Sequence, residues 1–382
     1  MTSPQTADPR QRADHRSGRS LTGPWPQWIC YSAAFWSVLY GVLGSFWALG
    51  GAGFPFGGAH DDTSLALAQA AFAGPVMAAI GFAGGVLAVV MARGGGRGPL
   101  RPLLIGYGVT TAVALALVVP GHRPLMAVAR TPLVLVGAPF GWPPDLGLGE
   151  FFSSMYPWPV VNQLLFILGG LLWGGATLAY TRRTGDACAG CGRPRYTAAW
   201  ATADSARRWG RWAVAIAVAI PMFYALTRWA WALGIPLGFS RQELRTEQAE
   251  SPGIWLAGAG LATLAACGAL LTLGLVQRWG EAYPRWVPFR RGRRVHPRTA
   301  IIPAAIVAVL VTAAGMAYLR ALLFGQISLD WGSGPTLLWP LWGAGLAAAT
   351  LAYHLRRRGE CRDCANTYDS MAAPQTRGGE YG

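Results

Sequence analysis

Residues 25–50 read WPQWICYSAAFWSVLYGVLGSFWALG, and residues 209–234 read WGRWAVAIAVAIPMFYALTRWAWALG. Each holds the roughly 20 apolar residues that a helix needs to cross a bilayer, where lipid offers no partner to an open backbone N–H or C=O. Laid over each other at a shift of 184, they match without a gap at Trp25/Trp209, Trp28/Trp212, Ala33/Ala217, Tyr40/Tyr224 and the run Trp47-Ala48-Leu49-Gly50/Trp231-Ala232-Leu233-Gly234. A second block, shifted by 173, places Ala176-Thr177-Leu178-Ala179-Tyr180 on Ala349-Thr350-Leu351-Ala352-Tyr353, Arg183 on Arg356, and Cys188 and Cys191 on Cys361 and Cys364. These two stretches predict a membrane protein built as an internal duplication.

The remainder of the chain agrees with that class. Of 382 residues 53% are apolar and only 13% charged, which excludes a soluble surface, a disordered chain and a coiled coil. There is no Lys, so all 32 basic residues are Arg, the bias of a GC-rich genome. Eight spans are expected, at Trp28–Gly50, Leu65–Met91, Leu103–Val119, Val160–Tyr180, Trp212–Gly234, Ile254–Val276, Ile301–Phe324 and Leu337–Tyr353. A ninth apolar piece, Leu125–Phe140, contains Arg130, Pro132 and Pro139 and reads as a loop or interfacial helix.

Positive loops stay in the cytoplasm. With the N-terminus inside, the inner segments hold 26 Arg and the outer loops four (Arg123, Arg130, Arg241, Arg245), so both termini are expected in the cytoplasm. The units run 25–195 and 209–366, with tails at 1–24 and 367–382 expected to be disordered and a linker at 196–208. Four spans per unit make the repeats parallel, which implies a pseudo-two-fold axis along the membrane normal. The expected fold is thus all-α and polytopic: eight transmembrane helices as two parallel four-helix repeats, forming a pseudo-dimer within one chain.

Phe46-Trp47-Ala48-Leu49-Gly50-Gly51, followed by Phe56-Gly57, resembles the opening of a small four-helix bacterial membrane-protein family known only as a domain of unknown function. The endings, Asn162-Gln163 through Trp173 to Tyr180 and Cys188-x-x-Cys191-Gly192-Arg193, resemble uncharacterised multi-pass proteins of GC-rich Gram-positive bacteria. The resemblance covers both halves, implies a bacterial cell membrane, and implies no activity. The second half departs from it in lacking a Gly after its last Cys and after Leu233-Gly234.

Six Cys divide into two kinds. Cys30 and Cys267 lie within spans as small hydrophobes. Cys188, Cys191, Cys361 and Cys364 form two C-x2-C pairs just past the fourth and eighth spans, where a reducing cytoplasm disfavours disulfides and four thiolates suit a tetrahedral structural zinc. The duplication would bring the pairs together into a knuckle pair clamping the repeats. Thiol redox chemistry and unligated thiols are the alternatives. Flanking Arg182, Arg183, Arg193, Arg195, Arg356, Arg357, Arg358 and Arg362 would favour the thiolates.

No Asp, Glu or His lies in an expected span, which speaks against proton-driven carriers and intramembrane enzymes. Arg228 and Arg320, near the outer interface, either snorkel or, with Tyr40 and Tyr224, contact an anionic small molecule or lipid headgroup. His60-Asp61-Asp62 reads as a solvated turn before a metal site, and Ser240 with Glu243 as a capping box opening a surface helix. Ala70, Gly74 and Ala78, and Gly170 and Gly174, permit close helix approach. Pro75, Pro221 and Pro303 would bend their helices. The basic run Arg290–Arg294 is explained by topology, so no nucleic-acid partner is expected. The leading expectation is a transporter-like or solute-binding protein without enzymatic chemistry; the alternative is a scaffold or sensory partner docking another protein through its zinc knob.

Overall fold

A computed structural model describes residues 25–58, 61–141, 147–185, 198–283 and 291–358. They are helical, with an isolated Ala282–Arg294 bridge as the one β pairing among them. In order the helices are α1 (Trp25–Ala48), α2 (Ala70–Ala92), α3 (Leu100–Val113), α4 (Arg123–Gly137), α5 (Leu148–Met155), α6 (Trp158–Thr184), α7 (Ala203–Ala232), α8 (Arg241–Glu250), α9 (Ile254–Leu273), α10 (Pro297–Leu323), α11 (Gly334–Leu337) and α12 (Trp339–Arg356). A π-helical turn, Ala114–Val118, prolongs α3.

Seven helices are long and apolar enough to cross a membrane: α1, α2, α3 with its π-turn, α6, α7, α9 and α10. Among the described residues the eighth expected span is not one of them. Its segment does form a helix, α12, but in 18 residues two Trp, a Pro, His354 and Arg356 dilute the apolar content. The Leu125–Phe140 segment forms α4, a 15-residue helix whose length, about 22 Å at 1.5 Å per residue, is too short to span. The helices run unbroken through Pro75, Pro221 and Pro303. Helix α7 begins at Ala203, within the expected 196–208 linker, because Thr202 accepts the Ser205 amide as its N-cap.

The same pairings recur in both halves. Helix α1 packs on α2 and α6, and α6 on α3; α7 packs on α9 and α12, and α12 on α10. Close approach in the first half is bare backbone on backbone: a Cβ at Gly74 would lie 2.7 Å from the Ala48 amide, and one at Gly170 2.7 Å from that of Ala116. Without a hydrophobic drive between helices in lipid, such contact is what holds them together. Lipid-facing positions carry exposed apolar side chains, among them Phe35, Phe72, Leu103, Leu271 and Ile302.

Each half has its own core. Cys30, Ala33, Trp173 and Tyr180 belong to the first, and Ala217, Tyr224, Trp339 and Tyr353 to the second. Matching residues make matching contacts. Tyr40 meets the Phe166 ring edge-on at 5.0 Å, as Tyr224 meets Trp339 at 5.7 Å. Tyr180 Oη donates to the carbonyls of Gly95 and Gly96, and Tyr353 Oη to that of Gly280. Arg183 donates to Met91 and Ala92 at the end of α2, and Arg356 to Leu275 just past α9. These guanidiniums cap helix carbonyls, where cations also complement the dipole.

Candidate functional site

The bundle has a lower end, carrying Trp25 and Arg356, and an upper end, where α1 and α7 finish. The upper end holds most of the polar structure. Asp61 organises its own turn, its carboxylate accepting the Gly57 and Thr63 amides. Asp62 does not behave as the solvated turn residue expected from sequence. Its Oδ2 lies 3.0 Å from His122 Nδ1 and accepts the amides of His122 and Arg123, while Oδ1 accepts from Gln163 Nε2. Burial alone would raise this carboxyl's pKa, but the His122 hydrogen bond and charge, with the Arg123 amide and Gln163, hold it down at about 2. Gln163 Oε1 in turn accepts the Gly121 amide, so the network ties the α1–α2 loop and the start of α4 to the head of α6.

Arg320 crosses from the second half onto this region. From α10 it donates to the carbonyls of Val118 at 2.7 Å and Pro120 at 3.1 Å. Helix α10 packs there against the π-turn, whose shifted hydrogen bonding re-aims the local carbonyls. Two residues before Arg320, the Tyr318 ring lies tilted against that of His122 with ring centres 5.1 Å apart and meets Trp339 edge-on. Arg228 sits apart from Arg320, with its guanidinium 4.3 Å from the Trp231 ring centre and 4.8 Å from that of Tyr224, donating to the Gly332 carbonyl. Of the four expected ligand contacts, then, Arg228 and Tyr224 are neighbours, while Arg320 is engaged with the carbonyls of Val118 and Pro120. Tyr40 lies in the first-half core, where its hydroxyl faces the buried Asn162 amide without a well-formed hydrogen bond.

Two cavities open at this end. One, of about 440 Å³, lies between α4 and α5 of the first half and α9 of the second; Leu133, Phe140, Phe151, Met155, Leu256 and Gly260 are among its walls, with Arg130 beside them. Its walls are aliphatic and aromatic. Arg130 reaches toward Met155 Sδ, 3.8 Å away. The second, of about 760 Å³, lies between the end of α7, α8 and the start of α9.

Cys188, Cys191, Cys361 and Cys364, like His60, lie outside the described residues. Among the described residues no cluster of three or more His, Cys, Asp or Glu could hold a metal ion.

Comparison with known proteins adds no assignment: no protein-family model, curated protein or solved structure matches the chain. His122 was not singled out by the sequence reading, and Gln163 entered it in the Asn162-Gln163 pattern without a role of its own. The one signal that could have found them is Asp62, an acid next to another acid whose neighbour suffices to organise the turn.

Proposed function

We propose that this chain is a multi-pass membrane protein that binds an amphipathic solute at its upper end, between its two halves. The observation that carries this reading is the cavity walled by α4 and α5 on one side and α9 on the other. A concave, mostly apolar site with one cation at its edge fits a ligand that is largely hydrocarbon. The transporter-like expectation thereby narrows to binding. The Arg distribution favours an upper end that faces outward, and α12, antiparallel to α7 and α10, would complete the eighth crossing.

The recurring contacts of Tyr40/Tyr224, Tyr180/Tyr353 and Arg183/Arg356 support the duplication read from sequence. On that reading the lower ends of α6 and α12, which carry the matched Arg183 and Arg356, deliver the cysteine pairs to one zinc. Purified protein is then expected to carry one zinc, lowered by replacing any of the four Cys with Ser. Two freely titrating pairs in metal-replete protein would end that proposal.

Gly260→Trp tests the amphiphile reading. A Cβ at Gly260 would meet nothing nearer than Leu133 at 3.9 Å, so the indole can enter the cavity without disturbing backbone. Co-purified or added lipid, counted by native mass spectrometry, is expected to fall. Unchanged lipid occupancy in a folded Gly260→Trp protein would defeat the reading.

A further inference from the structure

The second cavity differs from the first in charge. Helix α8 is net acidic in composition, yet its residues are sorted. Arg241, Arg245 and Gln248, spaced four and three apart, share one face and line the cavity, whereas Glu243, Glu247 and Glu250 fall on the opposite face. Among the described residues neither Arg241 nor Arg245 makes a hydrogen bond or an ion pair, so both guanidiniums have donors to offer. Across from them stand Trp231 and Trp255, packed edge-to-face at 5.4 Å, and Arg228 adds its charge 4.3 Å from the Trp231 ring centre. Leu256, 71% exposed, lines this cavity and also the apolar one between α4, α5 and α9. A basic chamber and a hydrocarbon chamber therefore adjoin at one side chain, at the level where α7 ends and α9 begins.

From this arrangement we propose that Arg241, Arg245 and Gln248 bind the phosphate of an anionic lipid whose acyl chain passes Leu256 into the adjoining apolar cavity. The inference rests on the amphiphile reading above and adds the class of ligand. Two Arg forks match a phosphate's oxygens, and Gln248 can donate to the ester or glycerol oxygens beside it. A free anion such as inorganic phosphate shares the headgroup chemistry but would make no use of the second chamber.

The test uses the full-length, delipidated protein with phosphatidylglycerol, phosphatidylcholine and inorganic phosphate as probes. Wild type is expected to retain phosphatidylglycerol over phosphatidylcholine. The double substitution Arg241→Gln and Arg245→Gln, both on an exposed helix, should cut that preference by about tenfold or more, the scale of losing charge-assisted hydrogen bonds, because phosphatidylglycerol loses more than phosphatidylcholine, whose choline offsets its phosphate. Gly260→Trp should remove both lipids. Undiminished preference in the double variant would overturn the headgroup assignment while leaving the amphiphile reading intact. Inorganic phosphate competing as well as phosphatidylglycerol would overturn the lipid in favour of a free anion. Lipid occupancy unaffected by Gly260→Trp would instead defeat the amphiphile reading beneath both.

Discussion

Helices α2 and α9 begin 184 residues apart, the same shift that relates α1 to α7, yet the two pairs they complete are closed in opposite ways. In the first pair, Gly44 faces Gly74, and a Cβ on Gly44 would lie 2.6 Å from the Ala78 amide nitrogen. In the second, Arg228 stands at the position of Gly44, and Gly258, at that of Gly74, is less crowded, a Cβ there meeting Arg228 Cδ at 3.9 Å. Glycine lets α1 and α2 touch backbone to backbone to their upper ends. Arginine holds α7 and α9 apart at the same level and supports Trp231, which lines the basic cavity. At this crossing glycine thus closes the first pair, and an Arg stands in the second.

Transplanting that exchange should give the largest effect. Gly44→Arg puts a Cβ and a long cation where backbone already sits, so α1 and α2 must separate, with a cost of about 3 kcal/mol or more by the scale of core overpacking. The expected outcome is a large fall in thermal stability and loss of monodisperse protein. The reciprocal Arg228→Gly loses its contacts with two aromatic rings, about 0.5–2 kcal/mol, and should leave the second half folded. Equal tolerance of the two substitutions would break the contrast.

Next in size is the joint between the halves. Arg320→Gln removes a guanidinium from the Val118 and Pro120 carbonyls, and hydrogen bonds from charged donors contribute about 1.5–3 kcal/mol. Because each half has its own core, the expected result is faster hydrogen exchange around the π-turn and the start of α4, with α1 and α7 unchanged. Uniform exchange throughout the protein would mean that the halves do not fold separately.

Local signals carried the sequence reading a long way. The seven crossing helices lie within a few residues of their expected positions at most ends because apolar length and flanking Arg are contiguous features. The Ser240 capping box is complete, with Glu243 Oε2 accepting the Ser240 amide and Ser240 Oγ accepting that of Glu243. Gly74 and Gly170 sit at close crossings, whereas at Gly174 the approach is looser, a Cβ there meeting Ala112 Cβ at 3.8 Å. The Asp62 network was hidden because its members come from three separate segments, 60 and 101 residues from Asp62, and no periodicity links loops. The eighth segment falls outside the seven because Trp counts as apolar in composition while preferring interfaces. Neither cavity was foreseen, since a cavity depends on how far apart helices stand.

Asp62 itself yields the pH prediction. Its pKa is lowered on folding from the usual 3.8 to about 2, so the folded state favours the ionised form. Its stabilisation is then fully present above about pH 4 and is lost as pH falls through the folded value near 2. Asp62→Asn should remove about 2 kcal/mol at neutral pH, on the scale of a buried hydrogen-bonded carboxylate, and flatten that acid limb. An unchanged acid limb would show that the His122 contact contributes nothing. Glycine packing would then weigh more at the upper end of the first half, which sharpens its contrast with the second.

The smallest effect concerns α8, which has no helical counterpart in the first half's α1–α2 loop. Ser240→Ala removes the acceptor for the Glu243 amide and should cost about 0.5–2 kcal/mol of helix stability. Glu243 takes part through its carboxylate: the Ser240 amide and hydroxyl hold its pKa below the ordinary value, so the cap is strongest when Glu243 is ionised and weakens as acid protonates it. The helix rests on the bundle mainly through buried Leu244, whose carbonyl accepts the Trp255 indole N–H. Loosening its first turn should therefore fray Arg241 before Arg245. Hydrogen exchange should rise at Gln242 and Glu243 with little change at Ala249, and the preference for phosphatidylglycerol should fall less than in the double Arg variant. If the preference instead stays whole while the first turn exchanges freely, Arg245 and Gln248 alone hold the headgroup. The basic face would then begin one turn further along α8, away from its cap.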